Sequence, residues 1–351
     1  MDNKITKKRL GEMLSYDWLK IIAFCALFVI LFEILTSAFS VKLTKGQSFD
    51  IVVYPNVRVD GTKDFHSAVL DDKAFSDDVL SFNITNLETT YYAEVLSSID
   101  ESSEGDLLII DNLKSFNKGD TDEKYPTSNM KGAIDKYSIY DFESLILDAK
   151  TYLLTFTKDG LDSFTEVENS SFSDCFDESK IEKTFKERMK KDNRFRTEQD
   201  YKNGLDAEVK RIEKLFKEVK TFDKIFKEYK DSGLFIKYKK YTVSYEYATL
   251  NNSLDKDSWL DKLSKEEELY YGLNLDFFEK NPSLVGKEDK HITNYFSYVD
   301  GYFDKTELET TEKTAVDLAL LVFDCKKAQP HLQYEVISVI NCLIKNCSTL
   351  I

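Results

Sequence analysis

The residues able to do chemistry in this chain are abundant as acids and sparse as anything else. Asp and Glu total 63 against 48 Lys and Arg, a net charge of −15 at pH 7, with three His and five Cys among 351 residues. A hydrolytic carboxyl pair needs two acids about 5–9.5 Å apart in contrasting environments, and no spacing here singles one out. Asp71-Asp72 and Asp77-Asp78 flank Phe75 and offer oxygen ligands. They lack the D-x-D-x-D-G register of a calcium loop and read as solvated loop acids. His66, His291 and His331 each stand without a second ligand at metal spacing. No glycine-rich phosphate cradle, nucleophile elbow or paired-cysteine motif occurs. The expectation is therefore no catalytic residue, no metal and no cofactor, hence a protein that is not an enzyme. So acidic a surface repels phosphate backbones, which argues against nucleic acid as a partner.

Composition also bounds the scaffold. A hydrophobic fraction of 42%, with 25 Phe and 20 Tyr, supports a large core, while 12 Gly and 4 Pro exclude collagen-like and low-complexity classes. Residues 21–41 carry Glu33 as their one charge. As a helix they would be about 31 Å long, matching a hydrocarbon core of about 30 Å. Tyr16 and Trp18 precede the run and Phe39 lies near its end, where interfacial aromatics sit. Lys4, Lys7, Lys8 and Arg9 cluster before it, which places residues 1–20 in the cytoplasm and the bulk of the chain outside. A cleaved signal peptide is the rival reading. The twenty residues ahead of the run, and a run longer than the usual 7–15, favour an uncleaved anchor. Phe24 before Cys25 spoils a lipid-attachment box. Glu33 lies toward the outer end, where snorkelling to the interface accounts for it.

Beyond the anchor, the first part of the chain alternates strand and helix signals. Residues 48–54 are β-rich and end on the turn signal Pro55-Asn56; residues 78–84 form a second strand. Residues 89–98 have helical spacing, with Tyr92, Val95 and Leu96 on one face. After a polar break, residues 106–111 form a continuous apolar run, as in a buried parallel strand. Residues 141–150 read as helix and 151–157 as strand. That alternation implies an α/β lobe with crossover connections. From 178 to 230 charges are dense, and Leu205, Val209, Ile212, Phe216, Val219, Phe222, Phe226 and Tyr229 step by three and four. Such a stripe packs an amphipathic helix onto its own domain more often than it makes a coiled-coil seam. Residues 234–238 and 241–247 read as two antiparallel strands, 315–323 as a buried strand and 333–345 as a final amphipathic helix. Cys342 and Cys347 sit about 140° apart on that helix, a poor geometry for a disulfide.

The segment TTYYAEVLSSIDESSEGDLLIID, residues 89–111, joins an amphipathic helix to an acidic-Gly-Asp break and a buried strand ending in Asp. It resembles the corresponding unit of bacterial extracellular solute-binding proteins of ABC importers, particularly the sugar-binding group. RLGEMLSYDWLKII ahead of an apolar anchor is similar to membrane-tethered Firmicutes relatives. The resemblance implies a periplasmic-binding-protein-like (type 2) two-lobe α/β fold with a helical central region, behind the transmembrane helix. It divides the chain into a cytoplasmic N-terminus (1–20), an anchor in the lipid bilayer (21–41) and lobe 1 (42–160). A helical region with the second lobe (161–312) follows, then a strand and helix returning to lobe 1 (313–351). It further implies carbohydrate as ligand and an ABC transporter permease as partner. Ligands of such sheets sit outside the carboxyl ends of the strands. Those ends supply Tyr54 and Asn56 after the first strand and Asp111 and Asn112 after the third. Trp259 could stack on a sugar, although a core role is commoner for a lone tryptophan. A surface interaction or accessory protein without a small ligand is the alternative.

Overall fold

The computed structural model describes residues 7–39, 47–55, 57–59, 65–71, 79–102, 105–112, 128–190, 192, 194–195, 197–243, 264–281, 291–298, 314–324 and 334–351. Helix α1 (Lys7–Phe39) opens the chain, extending the expected apolar run at its N-terminal side. Within it Lys20–Ser37 has a mean hydropathy of 2.2, and none of this stretch is buried against the rest of the chain. The helix is long and apolar enough to cross a membrane. Thr36 turns its hydroxyl back to the carbonyls of Phe32 and Glu33, satisfying it without water.

The sheet begins at β1 (Ser48–Val53), where Phe49, Ile51, Val52 and Val53 are buried. On one side lies β3 (Ser81–Asn86), parallel to β1 from Ser48↔Ser81 to Val53↔Asn86. On the other lies β4 (Leu107–Asp111), also parallel, with Ile51 opposite Leu107. The connections carry β2 (Val57–Val59) and α2 (Phe65–Asp71) before β3, and α3 (Tyr92–Ser102) after it. The polar ledger of β4 explains its place: Leu107 to Ile110 are fully buried, so both of its faces are covered.

From β4 the sheet turns antiparallel. Its next neighbour is β9 (Leu318–Phe323), every residue of which is buried, paired Leu107↔Val322 to Asp111↔Leu318. Then come β7 (Ser264–Asn274), antiparallel to β9, and β6 (Phe235–Val243), antiparallel to β7. The short β5 (Ile139–Tyr140) adds to β9 at Val322 and Phe323, completing a seven-stranded mixed sheet. A two-stranded ribbon pairs β2 with β8 (Phe296–Tyr298). Residues assigned from sequence to a second lobe thus contribute β6 and β7 to the same sheet as β1.

Two strand readings are corrected. Residues 151–157 are not a strand: α5 (Phe142–Leu154) runs through them and a turn closes at Thr157. Asp141 caps α5 by accepting from Ser144 N at 2.8 Å, and Leu145, Ile146, Ala149 and Leu153 keep a buried helical face. That face outweighs the β-branched and aromatic residues at its end. Nor do residues 234–238 and 241–247 form two neighbouring strands. They share the single strand β6 as far as Val243, and its partner is β7.

The helical centre comprises α4 (Asn129–Lys136), α6 (Phe164–Glu168), α7 (Phe172–Cys175), α8 (Glu178–Met189) and α9 (Glu198–Tyr229). A reciprocal capping box between Thr197 and Asp200 starts α9. Its Ile212, Phe216, Val219, Phe222 and Phe226 are buried, so the stripe packs onto its own domain against α5 and α8. Gly233, at φ 94°, turns the chain from α9 toward β6. α10 (Asp276–Lys280) follows β7, and α11 (Glu335–Cys347) closes the chain against α9 and α2. Cys342 and Cys347 are both buried.

One carboxyl in this frame makes stability depend on pH. Asp106, where the chain enters β4, accepts from Asp50 N at 2.8 Å, yet burial pushes its carboxyl up to about 8. The folded state therefore binds a proton that the unfolded chain releases near 3.9. This contribution is complete below about pH 4 and declines as pH rises through 8, by at most about 1.4 kcal/mol per pH unit. Asp106→Asn keeps the acceptor and should flatten that decline, read from thermal melts of the full chain between pH 5 and 8.

Candidate functional site

In a parallel α/β unit, ligands sit where neighbouring strands send their connections to opposite sides. The order β3-β1-β4 puts that point between β1 and β4. At the end of β1, Tyr54 donates its backbone N–H to Ile109 O (2.9 Å) and accepts from Val57 N at 2.9 Å. Its side chain is 5% exposed and meets the Tyr92 ring edge-on at 5.0 Å. Burial first, then Tyr92, Asp111 and Tyr137, push the Tyr54 phenol far above its usual range. It stays neutral and serves as a wall, not as an open stacking platform.

At the end of β4, Asp111 is buried and both its oxygens accept from Asn129 Nδ2, at 3.0 and 3.1 Å. Asn129 is the first residue of α4. The cap of that helix, Ser128, accepts from Lys131 N (3.1 Å) and donates to Asn112 Oδ1 at 2.9 Å. Asn112 N in turn donates to Asp317 O at 2.7 Å, tying β4 to the turn before β9. Asp317 holds φ at 55°, a left-handed conformation that Asp tolerates better than most residues. Leu275 N donates to Leu318 O at 2.9 Å, which sets Asp276 at the same end of the sheet.

Tyr54, Asp111 and Asn112 therefore come together as their positions at strand ends predict; Asn56 and Trp259 lie outside the described residues. Sequence reasoning missed Tyr92 as the partner of Tyr54, and Ser128, Asn129, Asp276 and Asp317 entirely. The Ser128-Asn129 pair carried a readable signal, a cap followed by a helical segment; the two acids carried none. An open depression of about 380 Å³ lies on the flank of α3, lined by Ala93, Glu94, Ser97, Ser98, Glu101 and Lys136. Its lining is charged and small polar side chains open to solvent, with Ala93 as the one apolar residue, and the strand-end cluster is the better site. Among the described residues no three His, Cys, Asp or Glu side chains are placed to hold a metal.

Fold and site together define a mixed α/β protein with eleven α-helices among the described residues, one of them apolar and N-terminal, and a polar cluster at the switch point of its sheet. No family model matches the chain, and no curated protein or solved structure is detectably similar to it.

Proposed function

We propose that this chain is a membrane-anchored, extracytoplasmic protein of the solute-binding type that captures a small hydroxylated ligand, a carbohydrate, for an ABC importer. The supporting observation is the reversal of strand order between β1 and β4, with Tyr54, Asp111, Asn112 and Asn129 gathered at that point. Amides and carboxylates at such a crevice hydrogen-bond hydroxyls, and half-buried tyrosines such as Tyr92 give apolar faces to a sugar ring. The lysine and arginine cluster before α1 supports a cytoplasmic N-terminus. Trypsin added to intact cells is expected to digest the part after α1; complete protection would reverse the orientation.

A second reading has an observation in its favour. Tyr54 and Asp111 are both buried and already engaged, Tyr54 by Tyr92 and Asp111 by Asn129, as expected of an accessory protein with a filled cleft. Its suggested docking face, the aromatic stripe of α9, is buried instead. Thermal-shift screening of the full chain in detergent against mono- and oligosaccharides separates the two readings. A rise in Tm that Asn112→Ala abolishes supports capture; no rise at millimolar sugar supports the accessory role.

A further inference from the structure

The acids beside the switch point carry a charge pattern that a neutral sugar does not answer. Asp276 is 1% exposed, and one of its oxygens is held by the Lys280 ammonium. Its other oxygen, Oδ1, is buried without a hydrogen-bond partner among the described residues. A buried carboxylate oxygen left in this way is costly, and an acceptor so placed is open to a donor from a ligand. Glu279 stands close by and accepts from Thr314 Oγ1 (3.0 Å) and Ala315 N (3.1 Å). Burial raises its carboxyl, the Asp276 charge raises it further, and His291 opposes them. Asp317 is raised by burial and then by Asp276, against Lys280. Glu279 and Asp317 thus each face the Asp276 carboxyl, with Lys280, 63% exposed at its side chain, as the ammonium beside it. Asp317 is also the residue whose carbonyl receives Asn112 N, so the acids adjoin the ligand-facing end of β4.

Three ligand chemistries can be weighed. An anion is repelled. A metal ion needs converging donors, and no such group exists among the described residues. A hydroxyl could donate to Oδ1 but would leave the surplus negative charge unanswered, whereas an ammonium does both through a charge-assisted hydrogen bond.

We propose that Asp276, with Asp317 and Glu279 around it, is a subsite for an ammonium group on the captured ligand, with Asp276 Oδ1 as the acceptor. The inference rests on the ligand-capture reading above and specifies the ligand as an amine-bearing small molecule. Lys280 then acts as an internal counter-ion on Oδ2 that neutralises part of the site when it is empty.

The test uses the full chain in detergent micelles at pH 6, with glucosamine, N-acetylglucosamine and putrescine as probes in calorimetric titrations. Glucosamine is expected to bind at least about tenfold more tightly than its acetylated form, the loss of one charged hydrogen bond. Putrescine should compete with it. Asp276→Asn should erase that preference, and Lys280→Met, which frees the carboxylate, should strengthen amine binding. Equal affinity for the two sugars, or a preference unchanged in both variants, overturns the subsite and leaves the capture reading standing. Binding of none of the three probes, with the wild type folded by circular dichroism, overturns the subsite; failure of the wider sugar screen as well overturns the capture reading.

Discussion

Replacing Arg211 by Ala is expected to destabilise the folded chain by about 3–5 kcal/mol, the usual cost of leaving a buried charge uncompensated. Arg211 sits on α9 with its guanidinium enclosed. Its Nε and Nη2 each donate to Glu208 at 2.9 Å, Nη2 also reaches Tyr152 Oη at 2.9 Å, and Nη1 lies 3.6 Å from Glu335. Arg188 of α8 reaches the same Glu208 at 2.8 Å. Four helices, α5, α8, α9 and α11, therefore meet on one neutral set of charges. Burial alone would raise the Glu208 carboxyl, but Arg211 and Arg188 hold it at about 2. Its contribution is present above the unfolded value near 4.3 and is lost as pH falls toward 2. Chemical denaturation of wild type and Arg211→Ala at pH 7 gives the size directly. Substituting Arg188, Glu208, Arg211 and Glu335 together by Met, Leu, Met and Leu should cost much less, because no lone charge then remains. Equal loss in the single and quadruple variants would mean that the set matters through packing alone.

Phe222→Ala is expected to cost about 3–5 kcal/mol, the range for removing a buried aromatic side chain and leaving a cavity. Phe222 is fully buried, with ring centroids 5.6 Å from Phe142 and 6.0 Å from Phe235, both edge-on. It joins α9, α5 and β6 where the helical centre meets the sheet. Phe222→Leu should lose less than half as much in the same denaturation series, since most of the cavity stays filled. An effect below 1 kcal/mol for Phe222→Ala would show that this layer is not closely packed.

The elements legible in the sequence are those whose burial is one-sided or complete. α1, β1, β4, α9, β9 and α11 each show an apolar run or a period that only one local structure can hide. β7 escaped because Ser264–Asn274 reads SKEEELYYGLN, a polar, charged start that no alternation marks as strand. Its register explains it afterwards: Glu268 stands opposite Lys239, and Lys237 reaches Glu268 at 2.8 Å, so the pair is matched by charge across strands rather than by apolar pattern. The end of α5 misled because Thr151, Tyr152 and Thr155 favour strands locally while Leu153 belongs to a helix face. At the site, Tyr54, Asp111 and Asn112 could be placed because strand ends follow from strand order. Asp276 and Asp317 could not, since they arrive from distant segments through the pairing of β4 with β9 and β9 with β7. Tertiary neighbours of this kind leave no trace in local spacing.

Seven residues, 40–46, join Phe39, where α1 ends, to Gln47, which is buried and bonded to Asp192, and that join spans at most about 28 Å. β1 itself is about 20 Å long. With α1 held in a bilayer, these two lengths cap at about 50 Å the distance of the pole bearing Tyr54 and Asp111 from the end of α1. Trimming four residues from the join would lower that ceiling by about 13 Å and bring the crevice that much nearer the lipid surface.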